Sequence, residues 1–425
     1  MRAILFSIGT RGDVEPFLAV AEILQAKDWE VICVFPEQFR DTVEGLGYPF
    51  HGFNKEFLEL LEGTEAKKLM GGRGSVLQRI AYLFKMSRKS IKISGEMIRL
   101  QHRLQEELKP DRIIYHPKCL TALLYGMAHP GKTMMLSPVP CIAHPVRHIN
   151  ILGRSIPFFN VLLANVSNTA KAIMIKKYSK DFRRDYPSVK FSLSSIRKTM
   201  LEKETTFYAI SKALFPKPDY WPGCAKVIGY HERDKTVDWQ PDKALTDFLD
   251  KHEKVVFITF GSMTNTNPVK KTRIILDVLE KHQIPAIINT SWGGLEKPDK
   301  AAAHIHFVAN IPYDWIFERV YAVVHHGGSG STHTSLKYGC PCLLVPHIID
   351  QFMWRIIVKE KYLGPEGLPI KKLRHENFEE RLLDLMNNNT YLKNAQKVSE
   401  QMRIESDRGR YYELISNNVD KILDS

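Results

Sequence analysis

Twice in this chain an apolar run stops at a glycine-containing turn and restarts as a helix: "RAILFSIGTRGDVEPFLAV" from Arg2 and "YAVVHHGGSGSTHTSLKY" from Tyr321. A short apolar run without alternation is how a parallel strand buried on both faces reads. One such unit in each half of 425 residues, a length too great for one compact core, predicts two doubly wound α/β domains facing each other across a cleft. The expected division is a front domain over residues 1–220 and a linker over 221–245, where "FPKPDYWPGC" clusters prolines and "ERDKTVDWQPDK" is polar. A rear domain over 246–400 and a last helix over 401–425, packed back on the front domain, complete the reading.

Within the front half, Pro16 is placed at a helix start, with Phe17, Val20, Ala21 and Leu24 at helical spacing. Glu30–Pro36 then reads as the next strand, and "DRIIYHP" as another, ending at His116-Pro117. In the rear half, strands are expected at "KVVFITFGS", "PAIINTS", "HIHFVAN", "AVVHHGG" and "PCLLVP", and helices at Pro268–Lys281, Thr332–Tyr338 and Gln351–Lys361. No apolar run approaches the ~20 residues that cross a bilayer, and no signal peptide is read at Met1. Six cysteines without CxxC spacing imply buried thiols in a reduced, cytoplasmic protein. The net charge of +13 is concentrated at Lys171–Lys203, ten Lys/Arg against three acids. Such a stretch suits an anionic membrane surface, a nucleic acid, an anionic ligand or simply a solvated helical face.

The chemistry is densest in "VVHHGGSGSTHTSLKYGCPCLLVPHIIDQFMW". Gly327 and Gly328 let a backbone approach a ligand closely, and the helix opened by Gly330-Ser331-Thr332 offers amides and a positive dipole end to an anion, most naturally a diphosphate. Ser331 and Thr332 also suit helix capping. The block is neither GxGxxG nor a Walker loop. His325 and His326 are adjacent on a strand and point to opposite faces, so no shared metal ion is expected. Asp350-Gln351 pairs an acceptor-only carboxylate with an amide that gives and accepts, a set suited to a sugar diol, unless Asp350 only caps the next helix. In "GTRGDVEPF", Asp13 is either a helix cap or partner of Arg11, or a carboxylate held ready to take a proton.

The HHGG-x-G block resembles the donor-binding signature of family 1 (UDP-glycosyltransferase-like) glycosyltransferases, in the sterol-glucosyltransferase-like bacterial and fungal branch. "GTRGDVEPF" is similar to the opening of that branch, while the middle, from about Phe53 to Tyr208, has no counterpart. The resemblance implies a GT-B architecture and inverting, metal-independent transfer of a sugar from a nucleotide-diphosphate donor to a hydroxyl of a small lipophilic acceptor. Asp13 falls at the general-base position. His325 and the backbone at Gly327, Ser329, Gly330 and Ser331 fall at the diphosphate seat, joined by Ser262 in "FGSM". Ile311 falls where backbone meets the nucleobase, with Asn310 in place of a stacking Trp. Asp350 and Gln351 fall at the sugar hydroxyls, and His333, where a small residue is usual, is expected to crowd or tune the seat.

Thr10 is a weaker donor candidate at a strand end. His116, Phe53 and Met86 are candidates for the acceptor pocket, although aromatics and methionines at such spacings equally suit core. The donor is read as UDP-glucose or a dTDP-deoxysugar such as dTDP-rhamnose. The acceptor is read as a flavonoid or other polyphenol, or a sterol. A nucleotide-sugar epimerase or hydrolase on the same scaffold, or a non-catalytic nucleotide or lipid binder, stands as the alternative. Partners beyond these would be an anionic membrane touched through residues 171–203, and no nucleic acid.

Overall fold

The computed structural model describes residues 1–53, 95–119, 121–150, 157–233, 235, 239–265, 267–290 and 294–416. Two all-parallel sheets organise them. The front sheet joins β1 (Arg2–Phe6), β2 (Glu30–Pro36), β3 (Phe50–Phe53), β4 (Arg112–Tyr115), β5 (Thr133–Ser137), β6 (Thr206–Tyr208) and β7 (Ala225–Val227) in the order 3-2-1-4-5-6-7. The rear sheet joins β8 (Val256–Thr259), β9 (Ala286–Asn289), β10 (Ile305–Val308), β11 (Ala322–His325) and β12 (Cys342–Leu344) in the order 10-9-8-11-12. Both are doubly wound, because the chain leaves the first strand of each in one direction and later returns to its other side. The carboxyl ends of β1 and β4, and of β8 and β11, therefore flank the two crevices where ligands bind in such sheets.

The central strands are apolar on both sides because helices cover both faces: Ala3, Ile4, Leu5 and Phe6 are fully buried, as are Val256, Phe257 and Ile258. β7 lies inside 221–245, so part of the stretch read as a linker belongs to the front sheet. The helix Arg408–Ser416 lies on the front core, with Tyr411 and Ile415 buried beside Val20 and Trp29, and Trp29 Nε1 donates to Tyr412 Oη at 3.2 Å.

Two helices begin earlier than the sequence implies. The first spans Arg11–Gln25 and contains Pro16 at its sixth position. Its start is fixed by a capping box, Thr10 as N-cap and Asp13 three residues on, which outweighs the proline's preference for the first turn. The seat helix spans Ser329–Lys337, not Thr332–Tyr338, so Ser329, Gly330 and Ser331 form its first turn. A further element was not legible at all: the helix Pro157–Asp185, 29 residues long, is long and apolar enough by length and composition to cross a membrane. Asn160, Asn165, Ser167 and Asn168 interrupt its apolar run, which is why no contiguous stretch announces it.

Candidate active site

Asp13 is built into the first turn of its helix and works in two directions. Its Oδ2 accepts from Thr10 N at 2.8 Å and Thr10 Oγ1 at 3.2 Å, closing the capping box. Its Oδ1 faces Lys118 Nζ at 3.0 Å and His116 Nε2 at 3.1 Å, both from the segment after β4. Arg11 is not its partner, since Arg11 pairs with Glu15 at 2.9 Å. Being a cap thus does not exhaust the carboxylate: one oxygen holds the helix and the other faces the crevice between β1 and β4.

The His116 ring is fully buried, Nδ1 accepts from Lys118 N at 3.2 Å, and Nε2–H lies 3.1 Å from Asp13 Oδ1, close but outside hydrogen-bond alignment. Burial pushes the ring's pKa down, against the pull of Asp13. His116 is therefore a neutral orienting partner of Asp13 instead of a free wall of an acceptor pocket. For Asp13, burial opposes ionisation, but the Lys118 charge and the His116 contact win and hold the carboxyl well below the usual carboxylate range. Lys118 went unnoticed in the sequence. Its only signal is its place two residues beyond a strand-end histidine in "YHPK".

On the rear side, the amides of Ser329, Gly330 and Ser331 open a nine-residue helix and have no intrahelical acceptor. Gly327 reaches φ 86°, and Gly328 is the N-cap. His325 is fully buried. Its Nδ1 accepts from Gly327 N at 3.0 Å, so Nε2 carries the proton and finds no partner among the described residues. Burial alone lowers its pKa to about 3, keeping the ring neutral.

The next ring, His326, is wedged between two glycines. A Cβ on Gly261, in the turn after β8, would come within 2.7 Å of its Cε1, and a Cβ on Gly328 within 2.5 Å of its Nε2. His326 thus spaces the β8 turn, which carries half-buried Ser262, from the glycine turn after β11. Its ring lies at 82° to that of His325, with centroids 6.3 Å apart. Among the described residues, no group of three or more His, Cys, Asp or Glu could hold a metal ion.

His333 does not crowd the seat. Nδ1–H donates to Ser329 O at 2.7 Å and Nε2 accepts from Ser211 N of the front half at 3.1 Å. The ring stacks on Tyr230 with centroids 4.6 Å apart. Ser329 Oγ likewise donates across to Pro138 O at 2.7 Å. The seat helix is therefore joined to the front domain by two buried hydrogen bonds.

Asp350 precedes the helix Gln351–Glu360 but makes no side-chain cap bond, so capping does not account for it. Burial, then the charge of Asp13, push its pKa up to about 6. Two carboxyls from opposite halves thus sense each other, and their surroundings drive their proton affinities apart. Gln351 is more constrained: Oε1 accepts from His347 N at 2.7 Å and Ile348 N at 3.1 Å, and Nε2 points to Met263 Sδ at 3.4 Å. Its first task in this geometry is to hold the Asp350 loop and the β8 turn together. Ile349 beside it takes φ 43°, unfavourable for a β-branched residue and held by those contacts.

The remaining candidates separate. The Ile311 side chain is core, packed with Phe257 and Ile316, which leaves only its backbone for a ligand. Phe53 is packed in the core as well, 1% exposed among Ile4, Ile32 and Met97, because β3 turns that side inward. Met86 lies outside the described residues.

Two family models match the chain: the glycosyltransferase family 28 N-terminal domain over residues 3–110, and the erythromycin biosynthesis protein CIII-like C-terminal domain over 279–407. Together they take in more than half of its length. The chain belongs to the family 1 glycosyltransferases.

Its two parallel-sheet domains form the GT-B fold. The calicheamicin glycosyltransferase CalG4 superposes on this glycosyltransferase with a TM-score of 0.72 at 16% identity, covering 99% of this chain and 98% of that one. The glycosyltransferase SsfS6 of Streptomyces sp. SF2575, complexed with thymidine diphosphate, does so with 0.61 at 17% identity, covering 98% and 99%. In sequence, the chain is 29% identical over 395 residues to sterol 3-beta-glucosyltransferase UGT80B1 of Arabidopsis thaliana, covering 89% of this chain and 62% of that protein. The glycosyltransferase thus spans about three fifths of the length of the plant relatives it matches.

Proposed function

We propose that this glycosyltransferase is a hexosyltransferase that moves a sugar from a nucleoside diphosphate donor to a hydroxyl of a lipophilic acceptor, in one inverting displacement. The observation that carries the reading is that Asp13 Oδ1 stands beside His116 and Lys118 at the β1/β4 crevice, while the open helix turn 329–331 is fastened across to the front domain by Ser329 Oγ donating to Pro138 O at 2.7 Å. The acceptor hydroxyl forms the new bond to the anomeric carbon as the bond to the diphosphate breaks. Its proton passes to Asp13 Oδ1, which His116 aims. The departing diphosphate is met by the amides of the seat helix, by its dipole and by His325 Nε2–H. Asp350 accepts hydroxyl hydrogen bonds from the sugar, and Gln351 keeps it in place. In this reading residues 1–220 supply the acceptor side and 246–400 the donor side.

A sterol or similarly flat polycyclic alcohol is the acceptor class favoured, on the strength of the relatives' named activity. UDP-glucose and a dTDP-linked sugar remain the two donors to compare, the second because the SsfS6 neighbour was solved with thymidine diphosphate. The test is release of nucleoside diphosphate from UDP-glucose and from dTDP-rhamnose, each with and without a sterol or a polyphenol, products being read by mass spectrometry. Acceptor-dependent release with a glycosylated product is expected. Equal release without acceptor would point to a hydrolase or epimerase, and binding without turnover to a non-catalytic protein.

A pH dependence follows from Asp350. With its carboxyl pushed up to about 6, it is protonated below that pH and loses an acceptor for sugar hydroxyls. Donor KM should therefore rise as pH falls through about 6, and Asp13→Asn, by removing the like charge, should move that limb to lower pH. A donor KM that stays flat from about pH 5 to 8 would take Asp350 out of donor binding.

A further inference from the structure

The helix Pro157–Asp185 has two unlike faces. Asn168, Ala172, Ile175, Ser179 and Phe182 are buried, at steps of four and three, and fasten the helix to the front core. Around the cylinder from them, Phe158 is 81% exposed, Leu162 46%, Val166 60% and Ile173 55%. At about 100° per residue these four fall within an arc of about 80°. The same arc continues toward the carboxyl end as Lys176, Lys180 and Arg184, all exposed. One face is thus apolar along its first half and cationic over its last turns. Single exposed apolar residues are ordinary, but an aligned stripe of them marks a contact surface.

A second copy of the chain packed on the apolar stripe would leave the cationic half of this face without a partner of opposite charge. An anionic bilayer answers both halves at once, acyl chains for the stripe and headgroups for the cations. We propose that this face seats the glycosyltransferase on an anionic lipid surface, Phe158 end inserted and Lys176–Arg184 end on the headgroups. The helix's anchored side also leads to the site. Asn168 Nδ2 donates to Ala143 O at 2.7 Å and Asn160 Nδ2 to Arg147 O at 2.9 Å. The loop holding those carbonyls begins at Pro138, whose own carbonyl accepts from Ser329 at the donor seat. Docking therefore brings the cleft beside the membrane that would supply a lipophilic acceptor. This last step, and it alone, rests on the acceptor class proposed above.

The test is flotation of the full chain with vesicles of phosphatidylcholine, alone or with about one third phosphatidylglycerol, with no donor or acceptor present. At least tenfold more protein should float with the anionic vesicles, and added salt should reduce the excess. K176E/K180E/R184E should abolish the excess, and F158E/V166E should lower binding at least tenfold. Both variants should retain turnover on a water-soluble acceptor, which shows that they fold. Equal flotation with neutral and anionic vesicles, or binding indifferent to both variants, would overturn the proposal. So would sedimentation showing a wild-type dimer that F158E/V166E splits, since the face would then belong to a second copy. Absence of turnover in the wild type would count against the transferase reading and leave the flotation result standing.

Discussion

Asp13→Ala should lower kcat at least a hundredfold while donor affinity stays within about twofold of wild type, the low end of what losing a general base costs. The reason lies in how the carboxylate is divided. Oδ2 is committed to Thr10 N and Oδ1 faces the crevice beside His116 and Lys118, so in the proposed mechanism the side chain serves the acceptor and not the diphosphate. Steady-state kinetics with donor varied, beside calorimetric titration of the nucleoside diphosphate, separates the two quantities. The capping bond complicates the alanine variant, because losing a cap costs about 1 kcal/mol of helix stability. Asp13→Asn keeps an oxygen for Thr10 and removes the base, and should show the same loss of turnover with the helix intact. Turnover near wild type in the asparagine variant would remove Asp13 from the chemistry.

The second large effect belongs to a ring that touches no expected substrate. Gly328→Ala would drive a methyl against His326 Nε2 and Gly261→Ala would meet Cε1 of the same ring. Either change should displace the ring, shift the turn that opens the seat helix and weaken nucleoside diphosphate binding roughly ten- to hundredfold. Because both displace the same ring, the double variant should lose less than the sum of the two free energies, with the backbone strain of Gly261→Ala at φ 55° added to its own share. Calorimetry on the three variants, with circular dichroism to show that the fold persists, reads this directly. Wild-type affinity in Gly328→Ala, or strict additivity in the double variant, would show that His326 does not set the spacing.

Much of this architecture could be read from residue order. RAILF, VFIT and AVVH announce buried parallel strands because helices cover both faces and leave no alternation to obscure them. β6 and β7, three residues each, are too short to carry such a signal. Asp13 was legible as a candidate, but a cap and a base look alike in one dimension; the structure shows the cap on Oδ2 and leaves Oδ1 beside His116 and Lys118. Lys118 and His116 come to Asp13 from about a hundred residues away, through the pairing of β1 with β4. His333 illustrates the opposite failure. Its place in the motif implied contact with the ligand, while the ring turns toward Ser211 because the neighbouring domain offers an amide there.

That ring has a consequence for how product leaves. His333 and Ser329 fasten the first turns of the seat helix to the opposite lobe, with both hydrogen bonds out of reach of water. Any hinge opening wide enough to free a spent nucleotide from that side must first break them, at about 1 kcal/mol each or more. Nucleotide exit and lobe separation then become a single event, and the slow step of a catalytic cycle can reside in unlatching as readily as in bond making.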